Sequence, residues 1–308
     1  MSTNYHNDSY ASTSIEGLTK QNNNCIQSAR KFMVKMHTQD IIGIFIFFAL
    51  PIGFLYAVTF PLSLSFDPFS KVCSKWVVPC SLLGLNVYLN ALMMFKVGPN
   101  SQRNVLPSVV KRDFHFCHLC QSNSPPRSFH CPVCNFCVFR RDHHCSFTGS
   151  CVGHFNQRYF VAAVFNLWPV VFSCCVWNWH ALLLAFSPLS LSDFLKWVFP
   201  HMALLFRFVS FYQFFVILVF AFSFITLLFT TYLIFAQIFC FWHGQTRVEY
   251  LMDVHAYNLS FRENLSACLG SRWPLIFISP FIPSQLETDG TFFRTREREE
   301  IGKSTKYF

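Results

Sequence analysis

The sequence predicts an all-α polytopic membrane protein: four transmembrane helices, with a small cysteine-rich polar domain between helices 2 and 3. Composition is the first observation. Of the 308 residues, 53% are hydrophobic and 13% charged, and forty are phenylalanine, where an average soluble domain is roughly 45–50% apolar and 25% charged. Second, the apolar residues gather in runs of about 20 or more, the length at which a helix crosses a ~30 Å hydrocarbon layer. Third, one polar stretch, residues 96–158, interrupts those runs and holds seven of the fourteen cysteines.

Residues 1–38 are polar, rich in Asn and Ser, and carry no cleavable signal pattern, so a disordered tail is expected there. Transmembrane helices 1 and 2 fall within 39–95, as spans of about Ile41–Phe60 and Trp76–Phe95. The first holds Pro51 and Gly53, which a membrane helix tolerates. The polar domain fills 96–158. Helices 3 and 4 occupy 159–242, as Tyr159–Phe186 and Phe211–Trp242. Between them, 187–210 is broken by Ser187-Pro188, Lys196, Pro200, His201 and Arg207, and reads as a lumenal loop with an interfacial helix, an extended fourth helix being the alternative. The region 243–308 is polar and ends in the charged run Arg294–Glu300, expected to be solvated and loose. No internal repeat is read in the chain.

A net charge of +9 raises nucleic acid as a partner, but the distribution of charge excludes it. Residues 96–158 hold eight of the 24 basic residues and two acids, Asp113 and Asp142, whereas the chain from 243 holds eight of each sign. A basic loop between apolar spans marks a cytoplasmic face. Four spans then place both termini and the 96–158 domain in the cytoplasm. The sequons at Asn7, Asn258 and Asn264 lie on that side too and should carry no glycan.

Reduced cytoplasmic cysteines in a cluster imply metal or catalysis. Cys117-x-x-Cys120 and Cys131-x-x-Cys134 are hooks with the spacing that lets two thiolates grip one zinc ion. Each hook needs two further ligands, and the local candidates are His130, Cys137, His143, His144, Cys145 and Cys151. His130 and Cys137 stand ten and seventeen residues beyond Cys120; His144 and Cys151 stand ten and seventeen beyond Cys134. The equal offset suggests two interleaved Cys₃His zinc sites: Cys117, Cys120, His130, Cys137; and Cys131, Cys134, His144, Cys151. His143 and Cys145 are then left over, beside Asp142. A thiol, an imidazole to take its proton and a carboxylate to orient the imidazole are the parts of an activated nucleophile.

The run from Cys117 through Pro125-Pro-Arg127-Ser-Phe-His130-Cys131 and Asp142-His143-His144-Cys145 to Cys151-Val-Gly, Asn156 and Phe160 resembles the DHHC cysteine-rich domain of protein palmitoyltransferases. Thr246-Arg247-Val248-Glu249 is similar to the family's Thr-Thr-x-Glu motif. Tyr257-Asn258-Leu259 with Asn264 and Gly270 is similar to its C-terminal motif. The resemblance implies a protein S-acyltransferase that moves a long-chain acyl group from palmitoyl-CoA to Cys145, and then to cysteines of protein substrates near the membrane. It implies two structural zinc ions, Cys145 as nucleophile, His143 as base, Asp142 as its partner and His144 as a zinc ligand. It also implies a tapering acyl cavity among the four helices, CoA phosphates near Arg127, Arg140 and Arg141, and residence in the endoplasmic reticulum or Golgi.

The chain departs from the family pattern at Ser146, Phe147 and Ser150 after the motif, at Val97-Gly98-Pro99 after the second span, and at Arg247. An Arg247 side chain beside Asp142 would pair with it. The alternative function is a catalytically weak, zinc-stabilised membrane adaptor or chaperone. Cys25 and Cys268 are further candidates for acylation on the cytoplasmic side.

Overall fold

The structure, a computed structural model, describes residues 38–44, 71–101 and 113–296. After a helical segment over 38–44, the chain enters α1 (Lys71–Val97). Six short strands follow: β1 (His115–Cys117), β2 (Ser122–Ser124), β3 (Phe129–Cys131), β4 (Phe136–Val138), β5 (His143–Cys145) and β6 (Ser150–Val152). Then come α2 (Gln157–Ala185), α3 (Leu191–Val198), α4 (Pro200–Leu205), α5 (Phe211–His243), α6 (Arg247–Leu251), α7 (Phe261–Leu269) and a 3-10 turn, Trp273–Phe277.

Three helical stretches are long and apolar enough to cross a membrane: Val78–Val97, Gln157–Ala185 and Phe211–His243. They match the expected spans 2, 3 and 4. The remainder of the expected first span lies outside the described residues, so those residues hold three candidate spans rather than four. Helix α2 packs against both α1 and α5. The 33 residues of α5 rise about 50 Å at 1.5 Å each, well beyond the ~30 Å apolar layer. Its surplus length carries the last turns of α5 up to the polar domain. Ser210 and Gln213 cap its start reciprocally, and Gly244 ends it in the left-handed conformation. A side chain at Gly244 would meet the Tyr257 carbonyl at 2.7 Å.

The 187–210 connection carries two short helices, α3 and α4. They close over Ala181, Leu182, Phe186, Val216 and Ile217 at the end of the α2–α5 pair away from the polar domain. A second apolar cluster, at the opposite end, joins Met94 of α1, Val152 of β6, Tyr159–Ala162 of α2, Phe241 of α5 and Leu265, Cys268 and Leu269 of α7. Cys145 belongs to it.

The polar domain corrects the all-α expectation. Its strands pair as three antiparallel hairpins, β1–β2, β3–β4 and β5–β6. Three-residue strands are too short to show an alternating pattern, which is why they escape a periodicity reading. The hairpins also correct the absence of a repeat. They begin at 115, 129 and 143, with the same register in each, and the turns carry a left-handed residue at Gln121, Asn135 and Gly149. The repeat is 14 residues long, the same shift that relates Cys117, Cys120, His130 and Cys137 to Cys131, Cys134, His144 and Cys151 in the sequence.

The C-terminal region is folded as far as 296; most of the charged run expected to be loose, 297–300, lies outside the described residues. Asn86 of α1 donates to the carbonyls of Phe277 and Ile278, and Asn166 of α2 donates to Phe277 as well. His154, buried beside Phe293, bonds the Thr288 carbonyl. Arg294 makes surface ion pairs with Glu287 and Glu263, its side chain 39% exposed, as solvation of that run predicts.

Candidate active site and metal centres

The hairpin register explains the ligand spacing. His130 stands opposite Cys137 across β3–β4, and His144 opposite Cys151 across β5–β6. Each such pair meets the hook of the preceding hairpin. Four donor atoms therefore converge at Cys117, Cys120, His130 and Cys137, and four more at Cys131, Cys134, His144 and Cys151, all within 4.8 Å of one another in each cluster. In the second cluster His144 Nδ1 lies 3.7, 3.3 and 3.8 Å from the sulfurs of Cys131, Cys134 and Cys151, and Cys134 Sγ lies 3.6 Å from Cys151 Sγ. A tetrahedral ion with Zn–S near 2.3 Å has edges of about 3.8 Å, so this donor set fits zinc. The sequence-derived ligand sets and the converging groups are the same eight residues.

Alternation along a strand places neighbouring side chains on opposite faces. His130 and Cys131 are neighbours and feed different clusters. In β5 the same rule turns His144 toward the second cluster and leaves His143 and Cys145 together on the other face. Three interleaved hairpins complete only two clusters. The first hairpin has Phe116 and Asn123 where the later ones have the His–Cys pair. The third has Thr148 where a hook would place its second cysteine. Cys145 is thus the half-hook that remains.

Cys145 is buried, 6% exposed. His143 hydrogen-bonds it, while His143 Nδ1 lies 2.8 Å from Asp142 Oδ2. With Nδ1 engaged, Nε2 is the nitrogen left for the thiol. The Phe160 ring packs edge-on against the imidazole at 4.9 Å. Asp142 is fully buried and accepts two more hydrogen bonds, from Gln237 Nε2 at 3.0 Å and from the Arg247 backbone N–H at 2.9 Å. Burial alone would raise the Asp142 pKa, but His143 and these donors lower it to about 2. Burial opposes charge on His143, yet its bonds to Asp142 and Cys145 raise it to about 9. Burial likewise opposes a Cys145 thiolate, and His143 outweighs it to bring the pKa down. The arrangement favours proton sharing from sulfur to imidazole.

Comparison with known proteins agrees with this geometry. The family model described as DHHC palmitoyltransferase matches residues 110–254. The probable palmitoyltransferase ZDHHC24 of Mus musculus is 34% identical over 222 residues, covering 68% of this chain and 75% of that protein. The chain belongs to the DHHC palmitoyltransferase family. Its Homo sapiens relative of the same name is 37% identical over 190 residues, 58% of this chain and 64% of that protein. The palmitoyltransferase akr1 of Schizosaccharomyces pombe is 36% identical over 121 residues, covering 37% and 18%. The aligned region thus spans about 64% of the Homo sapiens relative.

Elements outside the two Cys/His clusters hold this site in place. Glu249 in α6 caps the helix by accepting from the Thr246 N–H, and the same carboxylate takes a two-pronged ion pair from Arg127 at 2.6 Å per bond. Arg127 also donates to the Gly244 carbonyl and stacks over Tyr257, 4.3 Å from the ring centre. That clamp fixes Thr246-Arg247-Val248-Glu249 against the hairpins and so aims the Arg247 N–H at Asp142. The side chain of Arg247 turns away to the Tyr232 hydroxyl, 2.9 Å. The expected pairing of Arg247 with Asp142 is therefore corrected: the backbone makes the contact, and any non-proline residue supplies that N–H.

A buried polar chain runs outward from Asp142. Gln237 of α5 accepts from Gln157 of α2 at 3.2 Å, Gln157 accepts from Arg140 at 2.7 Å, and Arg140 reaches Cys268 Sγ at 2.6 Å. These contacts also correct two expectations. Arg127 and Arg140 are turned inward with their guanidinium groups committed to internal partners, so neither is disposed to meet a CoA phosphate; Arg141 is half-buried. Cys268 is 2% exposed, in the core beside Arg140, and is not available for acylation; Cys25 lies outside the described residues. Sequence reasoning missed Gln157 and Gln237. Their signal is the cost of a glutamine in an otherwise apolar helix, which demands a buried partner.

Proposed function

We propose that the chain is a protein S-acyltransferase that takes a long-chain acyl group from palmitoyl-CoA and delivers it to cysteines of protein substrates at the membrane surface. The observation that carries this reading is Cys145, which stands outside both ligand clusters yet is hydrogen-bonded to an imidazole held by a buried carboxylate. In the first step the Cys145 proton passes to His143 Nε2, and the sulfur attacks the thioester carbonyl of acyl-CoA. The carbon–sulfur bond to CoA breaks, and the departing CoA thiolate takes the proton from His143. In the second step His143 accepts the proton of a substrate thiol, whose sulfur attacks the acyl-Cys145 carbonyl. Cys145 leaves as the thiolate and recovers the proton from His143. Each step exchanges one thioester for another, so no further energy source is needed. Asp142 holds the ring in the tautomer that keeps Nε2 toward the sulfur and stabilises the imidazolium.

Zinc ions would be held by Cys117, Cys120, His130 and Cys137, and by Cys131, Cys134, His144 and Cys151, where they cross-link the hairpins. The membrane arrangement that goes with this activity has four spans, with the hairpin domain and both termini cytoplasmic, in the endoplasmic reticulum or Golgi. The acyl chain would lie among the spans, where the Phe147 ring meets Phe229 of α5 at 5.8 Å. Arg141 is the remaining candidate among the arginines for a CoA phosphate.

The test is incubation of the purified chain with labelled palmitoyl-CoA. Hydroxylamine-sensitive label on Cys145, lost in Cys145→Ser with zinc content unchanged, is the expected result. A folded wild-type protein holding two zinc ions and taking no label would favour the adaptor instead.

A further inference from the structure

The helical segment over 38–44 touches the catalytic hairpin at two points. Asp40 is buried, its side chain 4% exposed, and its Oδ1 lies 3.1 Å from Nε2 of His144. His144 presents its other nitrogen, Nδ1, to the three thiols of the second cluster. Three residues on, Gly43 lies so close to the loop after Cys145 that an added Cβ would stand 2.5 Å from the Ser146 carbonyl oxygen and 3.3 Å from the Phe147 N–H nitrogen. Both contacts fall on residues that flank Cys145. Among the described residues, His130 in the first cluster has no matching carboxylate.

We propose that Asp40 is a positioning residue for the second metal centre, and that Asp40 and Gly43 together clasp the start of the membrane region onto the strand that carries the nucleophile. The inference rests on the zinc reading of the two clusters. A histidine that binds a metal through Nδ1 must carry its proton on Nε2, and a carboxylate facing Nε2 fixes that tautomer and the ring plane. Because His144 lies between His143 and Cys145 on β5, the orientation of its ring also fixes the twist of the strand that places the reacting sulfur. Gly43 is required because the segment must lie against the backbone of the Cys145 loop for Asp40 to reach. Nothing in the sequence marks this pair, since Asp40 reads as the polar boundary of an apolar run.

The experiment titrates the purified full chain in detergent with a colorimetric zinc chelator and follows zinc release per chain, for wild type, Asp40→Ala, Asp40→Asn and Gly43→Val. A parallel sample carries Co²⁺ in place of zinc, so that the visible ligand-field bands report the geometry of each centre. Wild type should release two equivalents. Asp40→Ala should hold one of them about 10–100-fold more weakly, the range for loss of a partner behind a metal-bound histidine, with the other unmoved and the Co²⁺ bands of one centre shifted. Asp40→Asn, whose amide oxygen still accepts from Nε2–H, should fall between, and Gly43→Val should follow Asp40→Ala. Equal affinity for both ions in Asp40→Ala and wild type would overturn the inference. Loss of both ions together in Asp40→Ala would overturn it too, since Asp40 would then support the fold at large. A folded wild type without zinc would instead overturn the zinc reading, and this inference with it.

Discussion

The cluster of Cys117, Cys120, His130 and Cys137 and the cluster of Cys131, Cys134, His144 and Cys151 use the same four donors at the same spacing, in hairpins of the same register. Their surroundings differ. In the first, three of the four donors are partly exposed, and Asn100, just beyond α1, pairs with the backbone of Cys137 and Phe139. In the second, Cys131 and Cys151 are fully buried, Asp40 stands behind the histidine, and the strand supplying that histidine also supplies His143 and Cys145. Identical local chemistry thus sits in two settings: one cluster joins the first two hairpins, and the other shares strand β5 with His143 and Cys145. What separates them is burial among the described residues: three of four donors in the first cluster are partly exposed, whereas β5 in the second lies against α2, α5 and α6 through His143 and Asp142.

The largest effect should come from the face of β5 opposite the second cluster. His143→Ala should lower acyl transfer to Cys145 by roughly 10²–10⁴-fold, the usual contribution of a positioned acid–base group, while zinc stays at two equivalents. Loss of zinc in that variant would mean that the two faces of the strand are not independent. Next, Cys151→Ser and Cys117→Ser each remove one thiol from one cluster. Thermal unfolding and labelling should fall further for Cys151→Ser, because its site is buried and shares a strand with Cys145. Equal losses would erase the distinction drawn between the clusters.

A smaller effect is expected from Arg127→Ala, which strands the buried Glu249 carboxylate. Breaking such a pair costs about 3–5 kcal/mol, measurable as a lowered unfolding midpoint. Gln237→Leu removes one donor from the Asp142 carboxylate and should cost about 1.5–3 kcal/mol, as for other hydrogen bonds to charged groups, with slower labelling of Cys145. Arg247→Thr should change stability by no more than about 0.5 kcal/mol and leave labelling intact, since the N–H that reaches Asp142 survives. A large loss in Arg247→Thr would show that its bond to Tyr232 matters to the site.

The sequence by itself determined which eight Cys and His residues converge in two clusters, the position of Cys145 beside His143 and Asp142, and three of the long helices to within a few residues. Those features are local: they depend on donors at fixed spacing or on apolar runs measured against a fixed thickness of lipid. It did not reveal the hairpins, because strands of three residues carry no period. The parts that hold the site together were equally hidden there. Arg127 meets Glu249 across 122 positions, Gln237 meets Asp142 across 95, and Asp40 meets His144 across 104. An arginine next to a cysteine cluster looks like a phosphate ligand until its carboxylate partner is seen, and a lone glutamine in an apolar helix looks like a tolerated exception. Tertiary structure decided these roles because burial makes an unpartnered charge or amide costly, and which partner is in reach depends on how distant segments pack.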